Sequence, residues 1–154
     1  MGGASSLLKH EQASTGPTYA NPVIDSDFPD PNCIKVADTF YVFATNFGEM
    51  HATSSHIQLA TSKDLVNYHL QPDVLPQLPT WAKLGRTWAP NVTHVTNDGS
   101  STFVLYFVAW DGETDRQAIG IATVKTAEGP YVSSAPRPFI LQVGSIVCMT
   151  GHAL

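Results

Sequence analysis

Two stretches of this chain run through the same order of short apolar segments and turns, and that repeat restricts the available folds more than any other feature. The first set is Cys33-Ile34-Lys35-Val36, Phe40-Tyr41-Val42-Phe43-Ala44 and Ile57-Gln58-Leu59-Ala60. The second is Val92-Thr93-His94-Val95, Phe103-Val104-Leu105-Tyr106-Phe107-Val108-Ala109 and Ile119-Gly120-Ile121-Ala122. Ala37-Asp38-Thr39 and Asn97-Asp98-Gly99-Ser100 supply hairpin turns between the first two runs of each set. Pro31-Asn32 leads into the first set and Pro90-Asn91 into the second, 59 residues later; Ile57 to Thr61 is echoed by Ile119 to Thr123, 62 residues later. Two unrelated hairpins of similar composition are the duller explanation, and the matched offsets favour a true repeat.

Short strands, turn residues and almost no helical periodicity predict an all-β chain. A period near 60 residues, with three or four strands in each, predicts the blades of a β-propeller. Middle strands apolar on both faces fit blades sandwiched between neighbours. The reading divides the chain into a flexible lead-in at 1–20, a partial propeller at 21–146 and a tail at 147–154 that no longer reads as a blade. Blade one is expected at about 30–70 and blade two at about 88–135, leaving room for only the start of a third. At least four blades are needed to close a ring, so a blade face is expected to be exposed and open to self-association.

Composition narrows the function. Of 154 residues 43% are hydrophobic and 14% charged, which suits a globular domain, not a disordered chain. The net charge of −5 and the absence of any Lys or Arg run argue against nucleic acid as a partner. No run of about 18 apolar residues exists for a membrane helix, and Ala4-Ser5-Ser6-Leu7-Leu8 is shorter than a signal-peptide core. The two cysteines, Cys33 and Cys148, are too few for a disulfide framework or a CxxC site, and Cys33 within an apolar run is expected to be a buried, inert thiol. None of the six histidines has zinc-site spacing, so no metal site is expected.

Chemistry points to the start of each repeat. Asp25, Asp27 and Asp30 cluster before the first strand, where a polar turn would be the bland explanation. Pro31 biases Asp30 away from the helical region, so an extended approach is expected to project its carboxylate. The innermost strand of a propeller blade lines the central channel, and a carboxylate at its start would face a shared cavity. Thr87-Trp88-Ala89-Pro90-Asn91 takes the same place in the second repeat, and an indole there could stack on a sugar ring, although most tryptophans are simply core. Trp81 and Trp110 have no such positional argument and read as structural. Asp111, Glu113, Asp115 and Arg116 read as a solvated hairpin loop, and the Asn91-Val92-Thr93 sequon sits poorly for glycosylation.

Together these segments resemble glycoside hydrolase family 43, a family of five-bladed β-propellers. The resemblance rests on Asp30-Pro31-Asn32-Cys33-Ile34, Phe40 to Thr45, Ala60-Thr61-Ser62-Lys63-Asp64-Leu65-Val66-Asn67-Tyr68, Trp88-Ala89-Pro90-Asn91-Val92, Ile119 to Thr123 and Glu128-Gly129-Pro130-Tyr131, in that order. It implies an inverting, secreted hydrolase of O-glycosyl bonds in arabinose- or xylose-containing plant polysaccharides. It implies that Asp30 is the general base, activating water opposite an acid roughly 6.5–9.5 Å away. It also implies that Trp88, with Asn91, lines the sugar subsite. Asp30 would then have to be ionised, in a solvated or hydrogen-bonded setting.

The departures fall late in the chain. The family places an Asp that tunes the acid at the start of the third blade, where Gly144-Ser145-Ile146 is followed by Val147. The acid Glu belongs to a fourth blade. Calcium is common in the channel of the complete family fold, with ligands largely from later blades, so no cofactor is expected here. The chain alone is expected to be catalytically incomplete; the competing reading is a non-catalytic carbohydrate-binding or interaction module.

Overall fold

The computed structural model describes residues 18–45 and 55–142. The lead-in up to 17, Gly144-Ser145-Ile146, Cys148 and the tail at 147–154 lie outside the described residues. Those described form two four-stranded antiparallel sheets, two blades of a propeller. Sheet one consists of β1 (Asn32–Val36), β2 (Thr39–Thr45), β3 (Ile57–Ser62) and β4 (His69–Gln71), in that spatial order. Sheet two repeats the meander with β5 (Ala82–Asn97), β6 (Ser100–Asp111), β7 (Gln117–Val124) and β8 (Ile140–Leu141).

The repeat holds residue by residue. Asn32 faces Phe43 as Asn91 faces Tyr106, and Val42 faces Ala60 as Leu105 faces Ala122. The second β-hairpin turns through Asp98 and Gly99, both at positive φ, the conformation a tight two-residue turn requires. Sheet two is wider than the apolar runs imply. β5 starts at Ala82 because register shifts between Ala82 and Thr87, and again between Trp88 and Asn91, let the strand carry extra residues against β6.

The core lies between the sheets. Tyr41, Phe43, Ile57 and Leu59 of sheet one meet Phe103, Leu105, Phe107, Ala109, Ala118 and Ala122 of sheet two, all nearly or fully buried. Strand alternation decides which side chains these are, since every second residue shares a face. Trp81 stacks on Phe107 at 6.1 Å and 8°, in keeping with its expected structural role. The Glu128-Gly129-Pro130-Tyr131 segment plugs the junction: Tyr131 packs edge-on to Phe43, its N–H bonds to the Val74 carbonyl at 2.7 Å, and the Glu128 carboxylate accepts the Tyr41 hydroxyl at 2.5 Å. Gly129 has φ +90 with Val74 O 3.2 Å from where a Cβ would sit, so a side chain there would be strained and crowded. The two sheets share a register but not their volumes. Ala44 and Gln58 in sheet one correspond to Phe107 and Gly120 in sheet two, and a Cβ on Gly120 would stand 2.3 Å from the Phe107 ring.

Two expectations are corrected. Cys33 is exposed, not buried. It pairs with Val42 on the face of sheet one turned away from sheet two, whereas its counterpart Val92 lies on the inter-sheet face and is buried. In the Asp111–Arg116 loop, Asp111 is buried rather than solvated: its carboxylate accepts the Thr114 N–H and hydroxyl at 2.9 and 2.6 Å, closing the turn from inside. Those bonds, the Thr114 hydroxyl first, hold its pKa below the ordinary Asp range. Asp115 does reach solvent, where it pairs with Lys83 at 2.6 Å.

Candidate active site

Asp30 and Ala89 occupy the same place in the two repeats, each preceding a proline at the head of an inner strand. Both have left-handed backbones, φ 52 and 47. The extended approach expected for Asp30 is therefore not what forms. Proline disfavours the right-handed helical region in the residue before it, and here the left-handed well is occupied instead, one that Asp tolerates better than most residues. At Ala89 the same turn coincides with the bulge between Trp88 and Asn91, where β5 carries one residue more than β6.

Thr45, the last residue of β2, joins these two points. Its hydroxyl donates to Asp30 Oδ2 at 2.7 Å and accepts the Ala89 N–H at 2.9 Å. Because the backbone donor takes a lone pair, the hydroxyl proton is directed at the carboxylate. The Thr45 N–H in turn bonds the Pro29 carbonyl at 3.0 Å, and Gln58 Nε2 donates to the carbonyls of Asp27 and Thr45 at 3.0 and 2.7 Å. The turn carrying Asp30 is thus held at three points, the Asp27 and Pro29 carbonyls and the Asp30 carboxylate. Asp30 is itself exposed, and among the described residues Oδ1 has no hydrogen-bond partner. One carboxylate oxygen is anchored and the other is open, an arrangement able to take a proton from a water molecule. Asp25 and Asp27 are exposed on the approach and, among the described residues, make no comparable contact through their carboxylates.

The structure brings Asp30 to the backbone beside Trp88. The indole lies on the other face of sheet two: Trp88 pairs with Val108, and its ring packs against Trp110 at 6.5 Å and 55°. Both rings are half-buried, so Trp110 extends the aromatic surface that Trp88 begins. Asn91 pairs with Tyr106 on that same face, is exposed, and has Thr93 Oγ1 at 3.5 Å. Its repeat counterpart, Asn32, uses its amide oxygen to accept the Val92 N–H of the next inner strand at 2.8 Å. That bond, the Thr45 bridge, and Thr87 Oγ1 donating to the His56 carbonyl at 2.9 Å fix sheet one to sheet two along the inner strands.

His56 and Asp73 form a second polar knot at the junction. Asp73 accepts the N–H groups of His56, Ile57 and Leu75 at 2.7, 3.1 and 2.9 Å, and His56 Nδ1 lies 3.0 Å from Asp73 Oδ2 and 2.9 Å from the Leu75 carbonyl. Every contact there is inward, which marks it as structural. Among the described residues, no group of three His, Cys, Asp or Glu side chains is placed to share a metal ion.

Thr45 is the site residue that sequence reasoning missed. A signal existed: its counterpart in the second repeat is Val108, so a hydroxyl stands where the register asks for an aliphatic side chain.

The family model described as "Glycosyl hydrolases family 43" matches residues 19–145. An extracellular endo-α-(1→5)-L-arabinanase of Thermotoga petrophila is 30% identical over 96% of this chain and 30% of its own length. An extracellular endo-α-(1→5)-L-arabinanase 2 of Bacillus subtilis is 32% identical over 66% of this chain and 22% of its own length. The chain therefore spans less than a third of either relative. Among solved structures, the GH43_1 enzyme from Xanthomonas citri complexed with xylotriose superposes with a TM-score of 0.58 at 21% identity, over 76% of this chain and 34% of that one, which attests the shared propeller fold.

Proposed function

The chain belongs to glycosyl hydrolases family 43, and from that premise we propose that its two blades supply the general base and part of the sugar subsite of an inverting hydrolase of arabinose- or xylose-containing polysaccharides. The observation that carries this reading is the Asp30 carboxylate, with Oδ2 anchored by Thr45 and Oδ1 open beside the head of the second inner strand. In the inverting reaction Asp30 would take a proton from water while the water oxygen bonds to the anomeric carbon. The bond to the leaving oxygen breaks as an acid on the opposite face protonates it. The family resemblance assigns that acid to a fourth blade, and the described residues form two. Each such role is worth typically 10²–10⁴-fold, so the 154-residue polypeptide by itself is expected to turn over substrate barely or not at all.

Trp88, supported by Trp110, would line the sugar subsite by its indole face. For Asn91 a second reading has a specific observation behind it: Asn32, in the same register position, serves contact between blades. Both bacterial relatives are named as extracellular enzymes, which supports a secreted site of action. Calcium, if the complete fold holds it, would draw on residues beyond the two blades. Val132, Phe139 and Ile140 are 63%, 60% and 51% exposed on sheet two and its flank, supporting self-association of the chain through that surface.

The test is titration of the purified chain with arabino- and xylo-oligosaccharides, assaying hydrolysis in parallel. Binding at the Asp30 rim, read as quenching of the Trp88–Trp110 fluorescence or shifts around them, is expected without turnover and is expected to be lost in Trp88→Ala. Turnover of an aryl arabinofuranoside abolished by Asp30→Ala would overturn the expectation of incompleteness, and rim binding indifferent to Trp88→Ala would remove the subsite assignment.

A further inference from the structure

A groove of about 450 Å³ opens on the opposite rim of the blades from Asp30. β2 begins at Thr39, in the groove wall, and ends at Thr45, which holds Asp30. At about 3.3 Å per strand residue, the two ends stand roughly 20 Å apart. One wall is β3, β4 and the turn after β3; the other is Glu128 from sheet two, tied across the floor to the Tyr41 hydroxyl.

The state of the polar groups indicates what the groove can hold. Its carboxylates are largely engaged. Glu128 accepts from Tyr41, while Asp64 accepts the N–H groups of Val66 and Asn67 and the Asn67 amide at 2.7 to 2.9 Å. Gln71 spends its amide NH₂ on Thr61 and the His69 carbonyl, and among the described residues its amide oxygen has no partner. Among the described residues, the Lys63 ammonium and the His69 ring make no hydrogen bond or ion pair. The open groups among the described residues are therefore donors on Lys63 and His69 interleaved with acceptors on the Gln71 amide oxygen and the second Glu128 oxygen, Oε2. A divalent cation would meet Lys63 and carboxylates already in use, and a phosphate would meet Glu128 and Asp64. A neutral chain of hydroxyl groups, each able to donate and accept, matches all four.

We propose that this groove is a second saccharide-binding site, which holds a pentose oligosaccharide segment away from the Asp30 rim. The proposal rests on the reading of the chain as part of a polysaccharide hydrolase. Amide NMR of the whole chain, titrated with linear arabino- and xylo-oligosaccharides, tests it. Saturable shifts are expected at Lys63, His69 and Gln71, persisting in Trp88→Ala and weakened about fivefold or more in Lys63→Ala and in the double variant His69→Ala/Gln71→Ala. Lys63→Ala guards against damage to the short β4 strand. Shifts confined to the surroundings of Trp88 and Asp30 would overturn the groove while leaving the proposed function standing. Shifts confined to the groove would support it and remove the Trp88 subsite instead. No shifts at either place, or shifts at Lys63 and His69 with inorganic phosphate but not with sugar, would overturn it.

Discussion

Replacing Thr45 with valine keeps the shape of the side chain and removes only its hydroxyl, so it isolates the bridge between the blades. Two bonds are lost, to Asp30 Oδ2 at 2.7 Å and from the Ala89 N–H at 2.9 Å. A hydrogen bond to a charged group is worth about 1.5–3 kcal/mol, but Asp30 is exposed and water recovers most of that, leaving about 0.5–1 kcal/mol. Ala89 is half-buried, and an N–H left without a partner there costs about 1–2 kcal/mol. The sum is about 2 kcal/mol, which lowers Tm by roughly 5–10 °C in a domain of this size. Packing should be neutral, since Val108 already fills the equivalent position in sheet two. Urea unfolding followed by tryptophan fluorescence measures the loss, and Thr45→Ser should recover more than half of it. The Thr45→Val loss should shrink by about 0.5 kcal/mol or more when Asp30 is already alanine, because the two share a bond. A Thr45→Val protein within about 0.3 kcal/mol of the parent, or a serine variant as damaged as the valine one, would refute the assignment of a bridging hydroxyl.

Four further outcomes follow from the same contacts. Gly120→Ala should cost about 1–3 kcal/mol in urea unfolding, because the added methyl meets the Phe107 ring at 2.3 Å; Phe107→Leu in the same chain should relieve part of it. Asp73→Ala should cost about 2–4 kcal/mol, since three buried or half-buried N–H groups lose their acceptor; Asp73→Asn, keeping one oxygen, should cost less. The Tyr41 phenol is pushed up to about 12, by burial first and then by Glu128. A raised folded value means that stability is complete below the ordinary phenol pKa near 10 and falls as pH climbs from there towards 12, a slope that Tyr41→Phe should remove. Asp64, held down first by the Asn67 N–H, and Asp111, held down first by the Thr114 hydroxyl, act in the opposite sense. Their contribution is present above the ordinary Asp value of 3.8 and is lost on acidification below it, so acid unfolding should lose part of its steepness in Asp111→Asn.

Much of the fold could be read from the chain because strand and turn signals are local. The continuous apolar run Phe103 to Ala109 marks a middle strand, and Asn97-Asp98-Gly99-Ser100 specifies its own turn. The edge strands His69–Gln71 and Ile140–Leu141 carry too few residues to show a period. The front of β5 escaped notice because Lys83, Leu84 and Arg86 are exposed there and shifted register breaks the alternation. Cys33 misled because its neighbours are apolar, while burial depends on which face the next sheet covers, a contact between residues 60 apart in sequence. Asp30 could be picked out by its proline and its place in the repeat. Its left-handed backbone and its anchor at Thr45 could not, since both arise where the turn folds back onto the end of β2, a contact between residues 15 apart in sequence.

The exchange of Ala44 and Gln58 for Phe107 and Gly120 has a consequence for assembly. Backbones that pair alike offer a folding chain an inviting error, in which one meander takes the seat of the other. Here the error would set a small alanine where the inter-sheet cavity needs a phenyl ring, and a glutamine amide where that ring must lie flat. Blade order is therefore written in side-chain bulk, and a chain that shuffled its meanders would find its strand ladders intact and the interior unable to close.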